Sequence, residues 1–147
     1  MTELPITLRT VVYPWQMDHM DHLNVQHYAA LFDQSTWVLF GLLGLTAPYF
    51  REHRCGMAAL DQRTRYLREL HAGDRVENRS GVLEVREKTV RFFHRMIALD
   101  SGALAATTVL TGVFLDTQAR KGLPLPAFVR DSATPLLVPE SAVTQDA

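Results

Sequence analysis

The chain reads as an α+β fold, a five-stranded antiparallel sheet curled around one long buried helix. Three observations predict it. Strand-like segments are grouped behind a single helix instead of alternating with helices. That helix is apolar on nearly every side, the pattern of an element surrounded by protein. The strand-like segments behind it are joined by short turns rich in turn-forming residues.

The first strand is Ile6–Tyr13, dense in β-branched and aromatic residues and stopped by Pro14. A polar stretch, Gln16–Asn24, follows. From Asn24 to Leu43 the apolar residues Val25, Tyr28, Ala29, Phe32, Thr36, Leu39, Phe40 and Leu43 keep helical spacing, with Thr36 the one polar member. Leu31, Val38 and Leu42 widen the apolar surface, leaving Asp33, Gln34 and Ser35 as the clear polar sector. Asn24 suits the N-cap, and Gly41 and Gly44 mark the far end. Pro48 interrupts the chain, and Phe50–Arg54 reads as a short helical turn.

Four long strands follow at Gly56–Leu70, Arg75–Val85, Thr89–Leu99 and Ala103–Asp116. Their turns are Ala72-Gly73-Asp74, Glu87-Lys88 and Asp100-Ser101-Gly102. In the third, Val90, Phe92, His94, Met96 and Ala98 share one face. Gly122–Ala147 is rich in proline and has little periodicity. Pro126–Asp131 suits a helical turn, and a loosely held tail is expected beyond Thr134. We therefore expect one domain over 1–132 and a tail over 133–147.

A length of 147 residues fits a single domain, with 47% hydrophobic and 21% charged residues. The net charge of −1 gives no sign of a nucleic-acid or anionic-membrane partner. The single Cys55 excludes an internal disulfide and a Cys-rich metal site, and it fits a reducing cytoplasm. Met1–Arg9 lacks a basic start followed by an apolar run, so no signal peptide is expected. The longest apolar run, Trp37–Leu45, is too short to span a bilayer. There is no Gly-x-Ser-x-Gly elbow, no phosphate-binding loop and no dinucleotide fingerprint.

The segment dense in chemistry is Asp18-His19-Met20-Asp21-His22-Leu23-Asn24, directly ahead of the helix. Unpaired N–H groups and the positive end of the helix dipole suit an oxyanion there. A carboxylate beside them suits a general base or a nucleophile on an acyl carbon. Equally, Asp21 or Asn24 suits a simple cap, with the histidines exposed. His19, His22 and His27 with Asp18 and Asp21 have ligand chemistry, but their spacing matches no standard zinc motif, so no metal is expected.

Asp18-x-x-x-His22-x-Asn24 with Tyr28 resembles hotdog-fold acyl-CoA thioesterases, where Asp-x-x-Gly-His-x-Asn-Asn-x-x-Tyr opens the central helix. Tyr66-Leu67-Arg68-Glu69 with Ala72-Gly73-Asp74, Phe93-His94-Arg95-Met96 and Leu104-Ala105-Ala106-Thr107 match in order. Leu115-Asp116 and Leu123-Pro124-Leu125-Pro126 continue the series. Together they resemble the betainyl-CoA thioesterase branch over roughly residues 6–130. Asp21 stands where that pattern has Gly, and Val25 where a second Asn is common.

The resemblance implies hydrolysis of an acyl-CoA to free acid and coenzyme A, with no cofactor beyond the CoA of the substrate. Asp18 would activate water or attack the thioester, and the backbone N–H of Val25 would hold the oxyanion. His22 and Asn24 would orient water or Asp18, or shape the loop. Trp15, Tyr28, Trp37 and Tyr66 are candidates to line an acyl pocket, which for a quaternary ammonium would use cation–π attraction; packing in the core is the other role open to them. Arg120 and Lys121 suit either CoA phosphates or a solvated turn. His94, on an apolar face, reads as a packing residue, and Cys55 as a structural thiol. The resemblance also implies a homodimer or homotetramer. A non-catalytic acyl-CoA binder and an enoyl-CoA hydratase or dehydratase remain the alternatives.

Overall fold

In the computed structural model, which describes residues 3–146, the sheet runs in the order β1 (Ile6–Val11), β3 (Arg75–Val85), β4 (Thr89–Ala98), β5 (Leu104–Asp116), β2 (Cys55–Tyr66). All neighbours are antiparallel. A two-residue β6 (Lys121–Gly122) pairs with the end of β5. The long helix α1 (Val25–Leu42) lies against this curled sheet, and α2 (Ala47–His53) and α3 (Ala127–Ala133) are short. The five expected strands and the expected helix are present, with small shifts at the ends. β1 stops at Val11, ahead of Pro14, and β2 stops at Tyr66 instead of Leu70. Leu67 and Arg68 leave the ladder because both donate their N–H to the Ala105 carbonyl.

Asn24 is the N-cap of α1: its side chain accepts the Gln26 N–H at 3.1 Å and its carbonyl the His27 N–H at 2.9 Å. The expectation of a helix buried on nearly all sides needs correction. Tyr28, Leu31, Phe32, Ser35, Leu39 and Phe40 are buried, but Val25, Trp37, Val38 and Leu42 are exposed. One helix against one sheet can cover only the sheet-facing stripe, so the second apolar face is left open.

The core has two apolar clusters. One gathers Leu23, Tyr28, Phe32, Leu70 and Met96; the other gathers Leu39, Phe40, Phe92, Leu110 and Phe114. A polar belt on α1, β1, β3 and β4 separates them. His94, fully buried, lies 2.6 Å through Nδ1 from Ser80 Oγ and 2.8 Å through Nε2 from Thr36 Oγ1. Thr36 Oγ1 also donates to the Phe32 carbonyl at 3.2 Å. At the other end Ser80 Oγ lies 2.8 Å from Thr7 Oγ1, which reaches the Asn78 carbonyl at 3.3 Å. Both ring nitrogens thus have a hydroxyl partner, which satisfies the neutral imidazole in its buried position. Burial alone pushes the imidazole down to about 3. Nearby, Asn78 Nδ2 donates to Ser35 Oγ at 2.9 Å.

The C-terminal segment also departs from expectation. Residues 134–146 are tied to the outer face of the sheet, where a loose tail was expected. Val138 donates its N–H to the Val82 carbonyl at 3.0 Å. Arg95 donates to the carbonyls of Ala142 and Gln145, Arg91 pairs with Glu140, and Val143 is buried. The outward side chains of β4 supply those anchors, so the chain covers part of its own outer face. No helix among the described residues is long and apolar enough to cross a membrane.

Candidate active site

Asp18 sits in a tight loop closed by pairing of Met17 with Leu23. Its N–H donates to the His22 carbonyl at 2.8 Å, and the Asp21 N–H donates to the Asp18 carbonyl at 3.1 Å. Asp21 takes a left-handed conformation, φ 63°, at the position where the family pattern has glycine. The loop is held to the body by Leu23 N–H on the Leu70 carbonyl and Asn24 N–H on the Gln16 carbonyl. A backbone fastened at both ends keeps the Asp18 side chain directly ahead of α1.

Asp18 Oδ1 accepts the N–H groups of Met20, at 2.8 Å, and His22, at 3.2 Å; Oδ2 receives none among the described residues. Those N–H groups, His22 first, hold the carboxyl below its usual range. The side chain is therefore an anion at neutral pH with one oxygen fixed and the other free. Val25 is the first residue of α1, and its N–H donates to nothing among the described residues.

A cleft of about 350 Å³ is lined by Asp18, His22, Val25, Tyr28, Tyr66 and Glu69, with Leu23, Leu67 and Arg68 completing the wall. Tyr28 and Tyr66 meet edge to face at 5.0 Å. Burial first, then Tyr66, Asp18 and Glu69, push the Tyr28 hydroxyl up to about 12. His22 Nε2 lies 3.1 Å from Glu69 Oε2.

The four aromatic candidates do not converge within one chain. Tyr28 and Tyr66 share the Asp18 cleft. Trp15 is exposed and stacks edge-on against His27 at 5.1 Å. Trp37 lines a second, more apolar cavity of about 350 Å³ between α1 and β2, with Thr36, Phe40, Met57, Gln62 and Phe92. Along α1 it stands twelve residues past Val25, roughly 18 Å at the helical rise. Arg120 and Lys121 lie at the Asp116 end of β5, whereas Tyr66 pairs with Ala106 near its start. That is roughly 30 Å of strand. His94 is not in the cleft, and Cys55 is buried, with its thiol pushed up by desolvation and by Asp116.

Sequence reasoning did not single out Arg68, Glu69 or His71 as site residues. They follow β2, more than forty residues from Asp18, and tertiary contacts such as the Leu23–Leu70 bond and the His22–Glu69 pair bring them alongside. No local periodicity carries that signal.

A family model described as the thioesterase-like superfamily matches residues 12–132. The chain belongs to the thioesterase-like superfamily. Among curated proteins, the L-carnitine dehydrogenase/betainyl-CoA thioesterase of Rhizobium meliloti (strain 1021) is 26% identical over 120 residues. The match covers 82% of this chain and 24% of that protein, so the chain spans about a quarter of its relative's length. A Staphylococcus aureus protein solved in complex with CoA superposes with a TM-score of 0.84 at 18% identity, covering 98% of this chain and 96% of that one. A 1,4-dihydroxy-2-naphthoyl-CoA thioesterase from Synechocystis gives 0.77 at 14% identity, covering 88% and 95%. A probable thioesterase from Escherichia coli gives 0.76 at 16% identity, covering 91% and 100%. These likenesses establish the fold of this superfamily member as the hotdog fold.

Proposed function

We propose that this superfamily member is an acyl-CoA thioesterase whose reaction centre is Asp18. The observation that carries the reading is the pairing of an anionic carboxylate, free at Oδ2, with an open N–H at the start of α1, both on one cleft. In the hydrolysis, Asp18 takes a proton from water as the water oxygen adds to the thioester carbon, or attacks that carbon itself. The carbonyl oxygen gains charge, which the Val25 N–H and the helix dipole favour. When the C–S bond breaks, the leaving thiolate takes the proton that Asp18 removed from water, giving the acid and the thiol of CoA. In the direct-attack route the acyl group first stays on Asp18 as a mixed anhydride. Water hydrolyses it to the acid, restoring the Asp18 carboxylate and supplying the thiol proton. His22 and Asn24 act as positioning residues for the loop and the helix start.

The cleft's two tyrosine rings, and its two carboxylates, Asp18 and Glu69, set against the single guanidinium of Arg68, favour an acyl group bearing positive charge. Betainyl-CoA, the substrate class in the name of the Rhizobium relative, fits that chemistry and is the first thioester to assay.

Self-association through β2 agrees with the same reading. β2 is a twelve-residue edge strand, flanked by the open face of α1. An antiparallel pairing of two copies, centred on Leu60–Asp61, sets the Cys55 end of one beside the Tyr66 end of the other. The cavity at Met57 and Trp37, and the basic turn at Arg120 and Lys121, would then adjoin the second copy's Asp18 cleft.

The test is thiol release from a panel of acyl-CoAs: betainyl, short aliphatic, aromatic and fatty. We expect turnover on at least one and its loss by orders of magnitude in Asp18→Asn with an unchanged melting curve. Tight binding without thiol release on all of them would make the chain a binder. A change in enoyl absorbance without thiol release would make it a hydratase.

A further inference from the structure

The loop that carries Asp18 and the β2–β3 connection bring together three side chains of a kind that bind transition metals. His22 Nε2 lies 3.1 Å from Glu69 Oε2, and His71 Nε2 lies 4.0 Å from the same oxygen. The His22 and His71 rings meet edge to face at 5.3 Å. All three donor atoms fall within 4.8 Å of one another. We propose that His22, Glu69 and His71 form a binding site for a divalent transition metal of the zinc class, and that its occupation closes the Asp18 cleft.

Five features support a site over a chance cluster. Two imidazoles and one carboxylate are the donor set of open, three-ligand zinc centres, with a fourth position left to water. Zinc bonds of about 2.0–2.2 Å need donors roughly 3.4 Å apart. Glu69 and His71 side chains are more than half exposed, so they are free to close the remaining gap by rotation. The backbone beneath is rigid: Leu23 N–H donates to the Leu70 carbonyl at 2.8 Å, and Leu70, between the two ligands in sequence, is buried. With Leu70 turned into the core, Glu69 and His71 on either side of it both reach His22, the one through its carboxylate and the other through its ring. Finally, Asp74 Oδ2 accepts the His71 backbone N–H at 2.8 Å and stands 3.9 Å from the ring Nδ1. A turn of the ring would bring that carboxylate to the far nitrogen, the partner that orients metal-bound histidines. Imidazole donors favour zinc, nickel or copper over magnesium or calcium.

His22 and Glu69 also line the Asp18 cleft. A cation held by both would stand at its mouth and place positive charge near the Asp18 carboxylate, weakening it as a base. Zinc would therefore inhibit, and no hydrolytic step needs the metal.

The primary test is calorimetric titration of zinc into the metal-free full chain, which is independent of any thioester activity. We expect one zinc per chain, at least ten-fold weaker binding in His71→Ala, and no heat with magnesium. Cobalt(II) should give the visible absorption of a four-coordinate site in the wild type and lose it in His71→Ala. Because His71 is exposed, its removal should leave the melting curve unchanged. If a substrate is found, zinc should inhibit thiol release reversibly with chelator, and His71→Ala should resist it. Equal zinc affinity in wild type and His71→Ala, or no stoichiometric binding, would overturn the proposal without touching the thioesterase reading. Absence of thiol release from the metal-free chain across the acyl-CoA panel, with stoichiometric zinc binding in the titration, would overturn that reading and leave this site standing.

Discussion

His94 Nε2 lies 2.8 Å from Thr36 Oγ1, joining the middle of α1 to the centre of the sheet at the boundary between two apolar clusters. The bond sets where the helix sits along the sheet, because a one-turn slip would bury the imidazole against carbon. A buried polar group without a partner costs about 1–3 kcal/mol. α1 carries Val25 at its start, so the position of the candidate oxyanion donor depends on a bond eleven residues away.

That imidazole makes stability depend on pH. Its folded value, about 3, is below the ordinary 6.5, and its contacts Phe32, Phe92, Thr36 and Ser80 carry no charge. Between those values the unfolded chain binds one more proton than the folded chain, so stability falls as pH falls below 6.5. The slope from this residue is about 1.4 kcal/mol per pH unit. Urea unfolding from pH 7 to 4 should show it, and His94→Gln should flatten it while lowering stability at pH 7. An unchanged slope in His94→Gln would place the titrating group elsewhere.

Asn24 caps α1 through the Gln26 N–H. Asn24→Ala should cost about 1 kcal/mol of stability, while Asn24→Asp should retain most of it. If the helix start also positions the Val25 N–H, the alanine variant should lose kcat in thiol release beyond what its residual fold explains. Equal kcat in both variants would confine Asn24 to capping.

Asp21 adopts φ 63°. Asp21→Gly should be neutral or slightly stabilising by thermal melting, and Asp21→Val should destabilise by about 1–2 kcal/mol, since a β-branched residue is strained there. Comparable melting of the two variants would show that the loop relaxes to another conformation.

The exposed apolar residues Trp37 on α1 and Leu60 on β2 flank the proposed self-pairing edge. Sedimentation of the wild type should give a dimer or tetramer, and Trp37→Glu with Leu60→Lys should shift it toward monomer. Thiol release should fall with it if the second copy completes the cleft. A monomeric wild type would refute the pairing.

Much was written locally in the chain. The strand–helix–meander order follows from apolar spacing and turn residues, which act within a few positions of each other. The capped start of α1 behind Asp18 is equally local, since Asn24 bonds the N–H two residues on. Other features needed the tertiary structure, because they depend on strand order and curvature. Periodicity showed α1 as apolar all round, but only the sheet's placement determined that Trp37 stays outside while Phe32 goes in. The proline-rich end looked loose until the outward arginines of β4 were seen to hold it. In sequence the four aromatics suited either an acyl pocket or the core, and the length of α1 is what sets Trp37 apart from the cleft that Tyr28 and Tyr66 share. Glu69 and His71 had no local signature, since a side chain more than forty residues away meets His22 only when the chain has folded.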